Sequence, residues 1–222
     1  MSASQLGNIM NKRAQIKHLY VIFLTLLIPA VSISSLSCQE STPASLPPAP
    51  GPTQTTEPSE PWLADGVIGI GEYLSEASYA NGGYELFWSS DLQYIYIGMK
   101  AKTSGWVSMA VQPGSKMKDA DMVLGYVEDG EVTILDLYST GAFGPHPPDT
   151  EQGGTNDIIE YGGAETDGYT TIEFKRALAT GDRFDHELSS GKNQIIWAFG
   201  PRDDFNVKHS NRGYGEIDLP PR

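Results

Sequence analysis

The chain has 222 residues, 15 Lys and Arg against 28 Asp and Glu, and a formal charge of −13. That length holds one sizeable domain with appendages, and so negative a surface repels phosphate backbones, which argues against nucleic acid as a partner. With 24 glycines and 15 prolines beside an ordinary apolar share, the composition favours strands and turns over helices.

The first 38 residues have the three-part shape of an export signal. Lys12, Arg13 and Lys17 precede an apolar run at 19–28, and no acidic residue occurs before Glu40. Removing those three cations takes the charge from −13 to −16. The run is short for a membrane span, which needs ~20 residues. The only cysteine, Cys38, closes this segment, so an intrachain disulfide is ruled out. Ser35-Leu36-Ser37-Cys38 resembles a bacterial lipobox, with a small residue before the cysteine and the aliphatic residue one place later than usual. The resemblance implies lipidation of Cys38 and a protein anchored to the membrane on its extracytoplasmic side. The alternative is a cleaved signal and a secreted or periplasmic product. Residues 39–61 are rich in Pro, Thr and Ser and read as a tether in extended polyproline geometry, about 3.1 Å per residue.

Residues 62–222 read as one domain of short strands. Alternation at 84–89 and 94–100 places Leu86 and Trp88, then Ile95, Ile97 and Met99, on single faces. Segments 121–127 and 132–138 flank Asp129-Gly130, a signal for a tight hairpin turn. With 67–70, 106–111, 158–161, 169–175, 194–200 and 214–219 the count reaches about ten. That spacing predicts an all-β, immunoglobulin-like antiparallel β-sandwich. Residues 176–179 are expected to make a helical turn.

Several marks then recur in order. They are Asp65-Gly66 through Glu72-Tyr73, Gly105-Trp106, Met117 with Ala120-Asp121 and Gly125-Tyr126, Thr171 to Arg176 with Thr180-Gly181-Asp182, and His209 with Arg212-Gly213. In this order they resemble the DOMON family over about 65–219. The resemblance implies an extracytoplasmic β-sandwich, in some members holding haem b between a methionine and a histidine. It points to Met117 and His209 as ligands of the haem iron, with electron transfer to a partner redox protein as the expected role.

Thioether sulfur and imidazole nitrogen are a six-coordinate pair that raises the reduction potential relative to two histidines. Met117 lies among Lys116, Lys118 and Asp119, outside any alternating buried stripe, whereas Met109 and Met122 fall in strand patterns and read as core. The bland reading of Met117 is a loop lid, and of His209 a solvated loop histidine. Arg212 suits a haem propionate or the closing strand. No Cys-x-x-Cys-His is present, so haem would be bound without thioether links. A second constellation, His146, Asp149 and Asp157 in a Gly- and Pro-rich segment, offers divalent-ion ligands or only turn formers. No nucleophile elbow, zinc-protease helix or phosphate loop occurs, so a non-catalytic domain is expected. The competing functional class is a haem-free module recognising a carbohydrate or small ligand, for which Trp62, Tyr73 and Tyr79 are the aromatic candidates.

Overall fold

Alternation of buried and exposed side chains builds ten strands among the described residues. They are β1 (Ser75–Tyr79), β2 (Tyr84–Ser90), β3 (Tyr94–Ala101), β4 (Val107–Val111) and β5 (Asp121–Glu128). β6 (Glu131–Tyr138), β7 (Ile158–Thr166), β8 (Tyr169–Ala177), β9 (Gly191–Phe199) and β10 (Asn211–Leu219) complete the set. The computed structural model describes Pro58 and residues 60–222. The export signal, Cys38 and nearly all of the tether lie outside the described residues.

The strands form two five-stranded sheets, ordered β1-β2-β3-β8-β7 and β10-β9-β4-β5-β6. Every pairing is antiparallel. The predicted all-β sandwich is the fold found. Its core lies between the sheets, where Leu86, Ile97, Met99, Ile172 and Phe174 of one face Val107, Met109, Val123, Ile195 and Ile217 of the other. At the β5–β6 hairpin Asp129 and Gly130 take φ of 53° and 83°, as a tight turn requires.

Two segments differ from the sequence reading. Residues 67–70 are not a strand, and the tenth strand is instead β1, from Ser75 to Tyr79. The reason lies in where the backbone finds partners. Glu173, fully buried in β8, accepts from the amides of Asp65 and Gly66 and from the Tyr73 hydroxyl. Glu72 accepts from Leu63 and Gly69, and Asp65 from Val67. Carboxylates thus replace the ladder, leaving Ile70 97 % exposed. Burial pushes Glu173 up to about 7. Residues 176–179 form no helical turn, because Arg176 and Ala177 complete β8 in register with Ile95 and Tyr94.

The segment crosses its sheet on glycines. A Cβ at Gly162 would stand 1.9 Å from the Ala64 carbonyl oxygen, a backbone atom with little freedom to yield. Gly162→Ala is expected to cost about 1–3 kcal/mol, the usual penalty of overpacking. Thermal melting of the variant measures it, and an unchanged melt would show that the segment is not seated there.

Candidate functional site

The second sheet has an unusual outer face. Strand residues pointing away from the core should be polar, yet Trp106, Ala110, Met122, Leu124 and Leu137 form a second buried cluster there, with Ile196 and Ala198 packed against it. This apolar face is the floor of a cavity of about 980 Å³, at the upper end of the range for small-molecule and cofactor sites.

Two jaws close over the floor from opposite ends of the sheet. Antiparallel pairing puts the β4–β5 connection at one end and the β9–β10 connection at the other. The first jaw carries Met117. Its loop is fixed by Gly114 N–H to Lys118 O, Ala120 N–H to Met117 O and Asp119 N–H to Ser139 O, and Lys116 and Asp119 take φ of 62° and 61°. The second jaw carries His209. Trp106 donates from Nε1 to Val207 O at 3.1 Å, and Ser210 donates from its amide to Phe199 O at 2.9 Å, so both flanks of His209 are tied down. Gly105 and Gly200 exist for this packing: a Cβ at Gly200 would meet the Trp106 indole, and one at Gly105 the Arg202 amide. The Gly105-Trp106 pair therefore positions His209.

Met117, His209 and Arg212 all line the one cavity. Met117 and His209 are half-buried and Arg212 is exposed. Burial, and then the positive charges of Arg212 and Lys208, hold the His209 imidazole below its usual pKa, so it stays neutral with a lone pair to offer. In a chain with a large acidic excess the lining carries three cations, Lys116, Lys208 and Arg212, against one acid, Glu151. The cavity thus pairs a thioether and an imidazole with an apolar floor and a cationic rim. It can hold a flat apolar ligand with an anionic edge and offer a donor atom from each jaw, and so it fits the demands of a Met/His-ligated haem.

His146, Asp149 and Asp157 do not come together. His146 lines the cavity. Asp149 is 1 % exposed with neither carboxylate oxygen hydrogen-bonded, and Asp157 accepts from Thr155 and donates its amide to Asp136. The carboxylates that converge among the described residues are Asp121, Asp136 and Asp185, within 4.8 Å of one another. They are hard oxygen donors of the kind calcium takes. The cation beside them is Arg176, which bonds both Asp121 oxygens at 3.0 and 2.9 Å and stands 3.9 Å from Asp185. Burial first, then mutual repulsion, pushes Asp136 to about 7 and Asp149 to about 8. Sequence reading missed this group because its members lie on β5, β6 and the segment after β8.

Of the aromatic candidates, Trp62 donates to the Tyr73 hydroxyl and packs against Tyr96, and Tyr79 stacks on Trp197. None supplies the cavity. The large apolar side chains at its rim are Phe143, Phe205 and Tyr214, with Tyr214 70 % exposed. Met109 is core, as expected, whereas Met122 is buried but serves as cavity floor.

Comparison with known proteins gives the following likenesses. Human DBH-like monooxygenase protein 1 is 32 % identical over 144 residues, covering 63 % of this chain and 23 % of the human protein. MOXD1 homolog 1 of Drosophila melanogaster is 29 % identical over 131 residues, 56 % of this chain and 18 % of that protein. The chain thus spans less than a quarter of the length of these relatives. Among solved structures, the cytochrome b domain of pyranose dehydrogenase from Coprinopsis cinerea gives a TM-score of 0.46 at 16 % identity, over 61 % of this chain and 75 % of that one. The cytochrome domain of Myriococcum thermophilum cellobiose dehydrogenase gives 0.46 at 13 % identity, over 61 % and 74 %. The DOMON domain matches residues 80–200, more than half of the chain, and the protein belongs to the DOMON domain family.

Proposed function

We propose that this domain binds haem b between Met117 and His209 and passes single electrons to or from a partner redox protein. The observation that carries this reading is that a thioether and a neutral imidazole, far apart in sequence, line one apolar-floored cavity from opposite ends of a sheet. Haem iron supplies the one-electron chemistry when bound. The chain's own contribution is to hold and orient. Trp106 and Ser210 fix the loop that presents His209. Asp119 and Gly114 fix the loop that presents Met117. Arg212, Lys116 and Lys208 offer guanidinium and ammonium partners for propionate groups. The domain turns over no substrate of its own in this reading. A lipid on Cys38 and the tether at 39–61 hold it outside the cytoplasm, at a distance from the membrane where a partner can dock.

The test is a visible spectrum of the full chain purified from haem-supplied cells, oxidised and dithionite-reduced. A sharp α-band on reduction with a Soret shift is expected. A colourless protein that also fails to take up added hemin overturns the reading and favours the haem-free recognition module. Labelling with a radioactive fatty acid, compared between the native chain and Cys38→Ser, tests the anchor. Label retained by the serine variant would remove it.

A further inference from the structure

The cavity contains a second imidazole that neither the fold nor the Met117–His209 pair accounts for. His146 sits in the segment that follows β6, at the same end of the sheet as the Met117 loop. The two are one jaw: Asp119 donates its amide to Ser139 O, Ser139 donates its own to Ala120 O, and the Lys116 ammonium lies 3.8 Å from the centre of the Phe143 ring. The segment is pinned further by Tyr138 N–H to Pro147 O and Thr140 N–H to Pro145 O, both at 3.2 Å. His146 is therefore held in place on the jaw that faces His209.

Its tautomer follows from a proton count. The Ser139 hydroxyl donates its single proton to Gly141 O at 2.9 Å, so toward His146 Nδ1, 3.0 Å away, it can only accept. Nδ1 carries the hydrogen and Nε2 carries the lone pair. Nε2 has no hydrogen-bond partner among the described residues. An imidazole whose Nδ1–H is fixed by an oxygen acceptor, leaving Nε2 open, is the arrangement that orients histidine as a metal ligand. Burial, and then the charge of His209, keep His146 below its usual pKa, in accord with two rings facing one space.

We infer that His146 is a second axial-ligand residue of this site, presenting Nε2 opposite His209 from the jaw that also carries Met117, and competing with Met117 for the haem iron. The inference rests on the haem reading above. Two donors of different softness on one jaw give the site two ligation states, Met/His and His/His, and the second has the lower potential.

The experiment loads the full-length native protein, Met117→Leu, His146→Ala and the double variant with hemin, and records ferric visible and electron paramagnetic resonance spectra of each. Leucine keeps the bulk of Met117, and circular dichroism confirms that each variant is folded. The expected result is a low-spin six-coordinate signal in Met117→Leu with the character of two imidazoles. His146→Ala should keep the native Met/His signal, and the double variant should turn high-spin. A high-spin Met117→Leu protein, or a double variant indistinguishable from it, overturns the inference while leaving haem binding intact. A native protein that takes up no hemin fails at the earlier step and removes both.

Discussion

The substitution Arg176→Met is expected to lower stability by about 3–5 kcal/mol, the usual consequence of stripping the partner from a buried charge. For a domain of this size that is a fall of about 6–20 °C in Tm. The side chain is 4 % exposed and bridges both sheets, donating to Asp121 of β5 and to the carbonyl of His186. Asp121, Asp136 and Asp185 surround one guanidinium and all three repel Asp149, so burial and repulsion are relieved partly by protons. Asp136, Asp149 and Asp185 are pushed up to about 7, 8 and 6. The folded state thus binds protons that the unfolded chain, with ordinary carboxyls, has already released. Stability from these groups is complete below the ordinary carboxylate range and is lost as pH rises through about 6 to 8. Removing the guanidinium raises Asp136 and Asp185 further. The Arg176→Met variant should therefore lose most at pH 8 and regain part of the deficit near pH 5, where the carboxyls carry protons. Thermal unfolding at both pH values measures this, and a deficit equal at both would show that the acids do not feel Arg176.

The second large effect is expected from Ala198→Phe. Ala198 lies on the outer face of β9, in register with Ser108 of β4 and Arg212 of β10, and lines the cavity floor. A phenyl group there grows into open space rather than into the core, so the fold should tolerate it. It occupies the slot where a planar ligand would lie. Hemin uptake should weaken by at least ~100-fold, about 2.7 kcal/mol, with the Tm of the unloaded protein within a few degrees of native. Titration followed at the Soret band, beside a melting curve, reads both quantities. Undiminished uptake by a folded variant would place the ligand elsewhere.

Much of the sandwich was legible because inter-sheet side chains recur with period two, as at Leu86, Trp88, Ile95 and Ile97. The one misplaced strand exposes the limit of that signal. Val67 to Ile70 has strand-like residues, but the amides of Val67 and Gly69 are claimed by Asp65 and Glu72, and those of Asp65 and Gly66 just before them by Glu173, a carboxylate more than a hundred residues downstream that nothing in local periodicity announces. β1, with the sequence Ser-Glu-Ala-Ser-Tyr, is too polar to stand out and is a strand because β2 pairs with it. At the site, Met117 and His209 were visible through a motif order, since both sit in polar loops that composition reads as solvent-facing. What no local pattern gave was the apolar outer face between them. Its members alternate with core residues, so β4 is buried at every position and looks like any central strand. The place of His146 in the cavity lining was hidden for a related reason. It was grouped with Asp149 and Asp157 by sequence proximity, whereas the chain turns at Pro147 and Pro148 and sends the imidazole to one side and Asp149 into the interior.

The cavity is roofed by loops and floored by the back of a sheet whose front is already packed against its partner. The cavity floor and the interior between the sheets are separate apolar clusters. The polypeptide can complete its sandwich without a ligand, so under the haem proposal loading would be a late event, open to whatever compartment the finished domain occupies. Occupancy would then be a variable of supply, with coloured and colourless forms sharing one architecture.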